Sequence, residues 1–274
     1  MSGPPPLREV IEEFDLAAKK SLGQHFLLDL NITAKIARHA EIRPGDFVLE
    51  IGPGPGGLTR ALLDAGAVVT AVERDARCIE ALTALATHYP RRLRVVEGDA
   101  LTADEGAILG AVAPVKIVAN LPYNISTELL IKWLKRGPEL WSRMTLMFQK
   151  EVADRILAGP GSKTFGRLSV IANAAATPSR GFDLPARAFT PPPKVESTVV
   201  IFDTPEEPFS RIAQLERVTG AAFGQRRKML RASLKSLFGE DLATALDEAG
   251  AAPTDRPETL SVKQFKTLAS RLEL

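Results

Sequence analysis

Residues 47–57 read Phe-Val-Leu-Glu-Ile-Gly-Pro-Gly-Pro-Gly-Gly, an apolar run that breaks into a glycine loop. A helical stretch, LTRALLDAG, follows and is closed by Gly66; a second apolar run, AVVTAVE, occupies 67–73. The alternation continues with a helix near 75–87, strands LRVVE (93–97) and VKIVA (115–119), a helix near 126–136 and a strand RMTLMF at 143–148. Strands this apolar are buried on both faces, and alternation with helices calls for a parallel sheet covered on either side. The predicted fold class is therefore α/β, doubly wound.

Working outward, residues 1–20 divide into a Pro-rich start and a stretch, LREVIEEFDLAAKK, of helical pattern, and a helix from about 30 to 40 ends at the turn Arg43-Pro44-Gly45-Asp46. After 148 come another helix, FGRLSVIANAAA, and a last strand, ESTVVIFD at 196–203, preceded by the Pro-rich FTPPPKV. Beyond Thr204 the strand pattern stops, and three or four short amphipathic helices fill 208–274. The predicted division is a first domain over 1–204, whose segment 1–30 contributes to the ligand site, and a smaller all-helical domain over 205–274. The boundary falls at Thr-Pro-Glu-Glu-Pro, 204–208.

With 45% hydrophobic and 25% charged residues, the 274-residue chain is neither disordered nor fibrous. Its one cysteine, Cys78, excludes an intrachain disulfide and a Cys-ligated zinc site, and reads as a packed small side chain in a reducing compartment. His25, His39 and His88 form no sequence cluster, so no metal site is expected. The start lacks the basic and apolar regions of a secretory signal, and no stretch approaches the roughly 18 apolar residues of a spanning helix. A cytoplasmic protein without a membrane partner is expected. The net charge of +2 names no partner, but residues 210–238 carry seven basic side chains (Arg211, Arg217, Arg226, Arg227, Lys228, Arg231 and Lys235) against one acid, Glu216. So dense a basic stretch suits phosphate contacts.

Gly52, Gly54 and Gly57 satisfy a GxGxxG spacing, which lets backbone approach a ligand at the mouth of a helix. Glu73, ending the second strand 19 residues after Gly54, is placed to accept from ribose hydroxyls. A nicotinamide enzyme would show both features. The third and fourth strand ends separate the cases: Glu97-Gly98-Asp99-Ala100 offers an acceptor for an adenine amine, and a dinucleotide enzyme has no need of Asn120-Leu121-Pro122-Tyr123.

These segments, together with KKSLGQHFLLD (19–29), VERD (72–75), FQKEVADRI (148–156), GRLSV (166–170), FTPPPKVEST (189–198) and FGQRRKMLRASLK (223–235), make the chain resemble the adenosylmethionine-dependent rRNA adenine N6-dimethyltransferases. The match runs in order from 19 to 235 and is closest to the members that act on 16S rRNA. The resemblance implies a Rossmann-like methyltransferase sheet and S-adenosyl-L-methionine as cofactor, in a pocket lined by His25, Leu27, Gly52, Glu73, Asp99 and Asn120, with Gly54 in the loop. It implies as substrate two adjacent adenines in a loop near the 3′ end of 16S rRNA, within an assembling small subunit, and a monomeric enzyme. Arg226, Arg227, Lys228 and Arg231 are expected to hold RNA.

The chemistry at the fourth strand follows from adenine. Its exocyclic amine is a poor nucleophile because the lone pair is delocalised into the ring, and two acceptors aimed at the amine protons favour pyramidalisation. Asn120 Oδ1 and the Leu121 carbonyl are the expected acceptors, the latter held extended by Pro122. Tyr123 offers a ring to stack on the unstacked base, and the resemblance adds Phe189 on the opposite face. Two other functions remain open at this point: a large-subunit rRNA methyltransferase of the macrolide-resistance type, and a non-catalytic checkpoint factor of small-subunit assembly.

Overall fold

The structure, a computed structural model, describes residues 3–18, 24–225 and 227–273. Its strands are β1 (Phe26–Leu27), β2 (Phe47–Ile51), β3 (Val68–Glu73), β4 (Leu93–Glu97), β5 (Val115–Ala119), β6 (Trp141–Gln149), β7 (Thr177–Leu184), β8 (Phe189–Thr190) and β9 (Ser197–Asp203). Seven form one sheet in the order β4-β3-β2-β5-β6-β9-β7, and β1 pairs with β8 in a separate antiparallel ribbon. From β4 to β6 all neighbours are parallel, as the apolar runs require, and the inner β2 and β5 are almost wholly buried. β9 departs from the expected parallel arrangement and runs antiparallel to β6. It inserts between β6 and the edge strand β7.

The six long strands read from the sequence are all present. β7 was not anticipated: Thr177-Pro178-Ser179-Arg180-Gly181-Phe182-Asp183-Leu184 contains a proline and a glycine and buries only its last residue, which is what an edge strand tolerates. The helices Leu30–His39, Gly57–Asp64, Ala76–Ala86, Ser126–Arg136 and Arg167–Ala175 lie where expected. After Thr204 the described residues form five α-helices, Ile212–Gly224, Leu230–Ser233, Lys235–Phe238, Leu242–Glu248 and Val262–Ser270, rather than three or four.

Contacts divide the chain into two compact units, and the division is not linear in sequence. One contains residues 1–130, 138–150 and 179–203; the other contains 131–137, 151–178 and 204–274. The first unit holds the sheet, with a core that includes Leu27, Ile36, Leu62, Val69, Val118 and Val199. The second has an aromatic cluster: Phe223 meets Phe165 edge-on at 6.1 Å and stacks on Phe265 at 5.5 Å, centroid to centroid. Glu216, on the same helix as Phe223, accepts from Arg167 at 2.9 Å and pairs with Lys135. No helix among the described residues is long and apolar enough to cross a membrane.

Candidate active site

In a doubly wound sheet, ligands bind at the carboxyl ends of the strands where the strand order reverses. Here the chain runs outward from β2 to β3 and β4, then returns to place β5 on the other side of β2, so the reversal lies between β2 and β5. An open cleft is found there, within the first unit, walled by the ends of β2, β3, β4 and β5 and by the segment that contains β1. The loop glycines let these walls meet. A Cβ on Gly54 would sit 3.0 Å from the Phe26 ring, and one on Gly57 would collide with the Leu27 carbonyl oxygen.

Glu73 is buried at the end of β3 and its carboxylate is fixed by three backbone donors: Gly54 N–H at 3.1 Å on one oxygen, Arg74 N–H at 2.8 Å and Asp75 N–H at 2.9 Å on the other. Asp99, after β4, accepts from Leu101 N–H at 3.0 Å and from the Arg74 guanidinium at 3.1 Å. Each carboxylate oxygen has further acceptor capacity toward the cleft.

Asn120 follows β5. Its Nδ2 donates to the His25 carbonyl at 2.8 Å, which orients the amide and leaves Oδ1 without a donor among the described residues. Leu121 also lines the cleft, and its carbonyl receives no hydrogen bond from them either. The His25 ring is held in turn: Nδ1 is 2.7 Å from the Pro191 carbonyl, and the imidazole lies 5.6 Å from the Tyr123 ring at an interplanar angle of 29°. The Tyr123 hydroxyl shares a 2.6 Å hydrogen bond with Ser197 Oγ, and burial pushes the phenol pKa up.

The structure thus brings His25, Leu27, Gly52, Gly54, Glu73, Asp99, Asn120, Leu121 and Tyr123 to one cleft. Phe189 is not among them. Paired with Leu27 across the β1–β8 ribbon, it is 2% exposed and belongs to the core that includes Ile36 and Val118, so its ring is not presented to a base in this structure. The hydrophobic drive that buries a phenyl ring beside Leu27 outweighs the position suggested by the Pro-rich loop.

The sequence reading did not single out Glu50, which also lines the cleft. Glu50, the penultimate residue of β2, is 1% exposed, and its Oε2 makes no hydrogen bond among the described residues. Burial, opposed by the Thr59 hydroxyl and reinforced by the nearby Glu73 carboxylate, pushes its pKa up to about 8. The visible signal was an acid closing an apolar strand just before the glycines.

In the second unit the basic stretch separates into two groups. Arg211 donates to the Ser270 carbonyl at 2.7 Å and Arg217 to the Glu273 carbonyl at 3.0 Å, so these two tie down the C-terminal segment. The side chains of Arg227, Lys228, Arg231 and Lys235 are exposed and make no ion pair or hydrogen bond among the described residues; Arg226 lies outside them. Among the described residues no group of three or more His, Cys, Asp or Glu is arranged to hold a metal.

The sequence pattern of the family described as ribosomal RNA adenine dimethylase matches residues 16–274. The protein called ribosomal RNA small subunit methyltransferase A in Agrobacterium fabrum is 56% identical over 99% of both chains, and its counterpart in Rhizobium etli is 55% identical over the same share. Among solved structures, a dimethyladenosine transferase from Plasmodium falciparum superposes with a TM-score of 0.75 at 27% identity, over 89% of this chain and 96% of that one. A 23S rRNA methyltransferase superposes with a TM-score of 0.67 at 30% identity, over 90% and 99%.

Proposed function

Because the chain belongs to the ribosomal RNA adenine dimethylase family, we propose that it transfers methyl groups from S-adenosylmethionine to the N6 amines of two adjacent adenines near the 3′ end of 16S rRNA, giving N6,N6-dimethyladenosines in an assembling small subunit. The observation that carries this reading is the Asn120 amide. Its Nδ2 is committed to the His25 carbonyl, which leaves Oδ1 as an acceptor without a donor among the described residues, on a cleft that Leu121 also lines. Two acceptors side by side fit an amine that must turn two protons away from its ring to free a lone pair. A neutral amide suffices, because the methylated amine is acidic enough to release its proton to solvent.

The residues present fit the cofactor. Glu73 accepts ribose hydroxyls, Asp99 accepts from the adenine amine, and the glycines at 52 and 54 admit the ligand against backbone. The buried Glu50 carboxyl, whose Oε2 makes no hydrogen bond among the described residues, suits a cationic ligand, whose charge draws it toward ionisation. When bound, S-adenosylmethionine supplies an electrophilic methyl group on a positively charged sulfur. Tyr123 presents a ring face to the target base, with the Ser197 hydroxyl fixing its tilt. The exposed cations Arg227, Lys228 and Arg231, with Arg226, hold RNA phosphates.

The small-subunit reading is favoured over the large-subunit one by identities of 55–56% to relatives of the first kind against 30% to a structure of the second. Labelled adenosylmethionine incubated with ribosomal subunits from cells lacking the modification tests it. Label is expected in 16S rRNA, and primer extension should stop at two adjacent adenines. Label in 23S rRNA, or binding to small subunits with no transfer, overturns the reading.

A further inference from the structure

Behind the cleft stands a charged pair with no part in the reaction just described. Asp75 is 5% exposed and opens the helix Ala76–Ala86, where it caps the Arg77 N–H. Its two oxygens take the Arg77 guanidinium in a fork, Nε at 3.1 Å and Nη2 at 2.7 Å. The same guanidinium reaches the Asp15 carbonyl at 2.7 Å and the Ala17 carbonyl at 3.3 Å, beyond the helix Leu7–Glu13. On its other side Asp75 Oδ2 accepts from Gln24 Nε2 at 3.3 Å. The Asp75 N–H meanwhile donates to Glu73. The Arg77 hydrogen bonds, joined by Gln24 and opposed by burial, hold the Asp75 carboxyl down at about 2.

We propose that Asp75 and Arg77 are positioning residues that anchor the chain just ahead of the cofactor wall, at Asp15, Ala17 and Gln24, so that cofactor affinity depends on a pair that does not touch the cofactor. The wall in question supplies the His25 carbonyl to Asn120 and Leu27 to the cleft. Without the anchor, the conformational entropy lost in ordering that wall is charged to ligand binding instead of to folding. The neighbouring bond from Asp75 N–H ties the same turn to Glu73, so wall and ribose acceptor share one support.

The inference rests on S-adenosylmethionine as the ligand, and its test separates the two. The full chain is titrated calorimetrically with S-adenosylmethionine, and steady-state kinetics are run on unmodified small subunits. Arg77→Met is expected to raise the cofactor Kd and KM about tenfold, leaving kcat at saturating cofactor and the KM for subunits unchanged. Partial unfolding gives the opposite signature, a lower kcat at an unchanged cofactor KM. Asp75→Asn keeps the helix cap but weakens the fork, and should act in the same direction. Combined with Arg77→Met it should add little, because the two residues act as one. Wild-type cofactor affinity in Asp75→Asn and in Arg77→Met, or loss of kcat alone, overturns the proposal. If Arg77→Met does not fold, Asp75→Asn decides. No binding by the wild-type chain overturns the cofactor assignment as well.

Discussion

The cleft and the basic stretch treat their polar side chains in opposite ways. Glu73, Asp99 and Asn120 are each committed on their far side to a neighbour, leaving one defined direction toward the ligand. Arg227, Lys228, Arg231 and Lys235 are committed to nothing among the described residues. The first arrangement suits chemistry, which needs acceptors fixed before the reaction begins. The second suits a polyanion, where affinity comes from releasing counterions and needs no fixed geometry. The contrast teaches that one kind of site is damaged by moving an atom and the other only by removing charge.

The strongest test removes the most committed atom. Asn120→Ala should slow single-turnover methyl transfer by roughly a hundredfold, about 3 kcal/mol, while binding of small subunits stays near wild type. The His25 carbonyl loses its donor in this variant, so cofactor must be held at saturation. A wild-type rate would break the assignment of Asn120 to the amine.

On the other side of the comparison, Arg227→Glu combined with Arg231→Glu should weaken subunit binding on the order of tenfold at moderate salt and flatten its salt dependence by roughly one logarithmic slope unit per lost contact. Cofactor affinity should be unchanged. Normal subunit binding across several salt concentrations would reduce the stretch to a solvated face.

Glu50 sharpens the comparison through pH. Its folded pKa, about 8, lies above that of an ordinary carboxyl in the unfolded chain, so between the two values the folded protein carries the extra proton. Its contribution to the stability of the cofactor-free protein is therefore complete below the ordinary carboxylate range and is lost as pH rises through about 8. Denaturant midpoints measured from pH 5 to 9 should decline over that window, and Glu50→Gln should flatten the decline while weakening cofactor binding at high pH. A decline as steep in the variant as in wild type would remove Glu50 from the account.

The smallest effect is expected at Tyr123. Ring stacking alone would leave Tyr123→Phe fully active, but the hydroxyl is anchored on Ser197. Losing one such hydrogen bond, about 1 kcal/mol, should lower the transfer rate about fivefold, and Ser197→Ala should match it. Full activity in both variants would mean that the ring needs no anchor.

The cleft was legible in the sequence because four parallel strands each end on a residue with evident chemistry, and strand ends in such sheets converge. What joins those residues was not. The bond from Asn120 to His25 spans 95 positions and depends on a ribbon of two-residue strands too short to show periodicity. Phe189 carries the same letters whether its ring faces a base or the core. The orphaned oxygen of Glu50 arises from burial alone, and the retirement of Arg211 and Arg217 from the basic stretch depends on where the last helix ends.

The aromatic cluster of the helical unit has a consequence for how this protein could be cut or recombined. Phe223 and Phe265 come from the last third of the chain, but Phe165, the helix Arg167–Ala175 and Lys135 come from two earlier passages. A gene fragment encoding 205–274 would carry Glu216 without either of its cations and Phe223 without one of its two ring neighbours. The unit is not a cassette. Whatever exchange reshapes its basic surface must proceed by substitution within the whole chain, since grafting the tail alone delivers a core with part of its interior left behind.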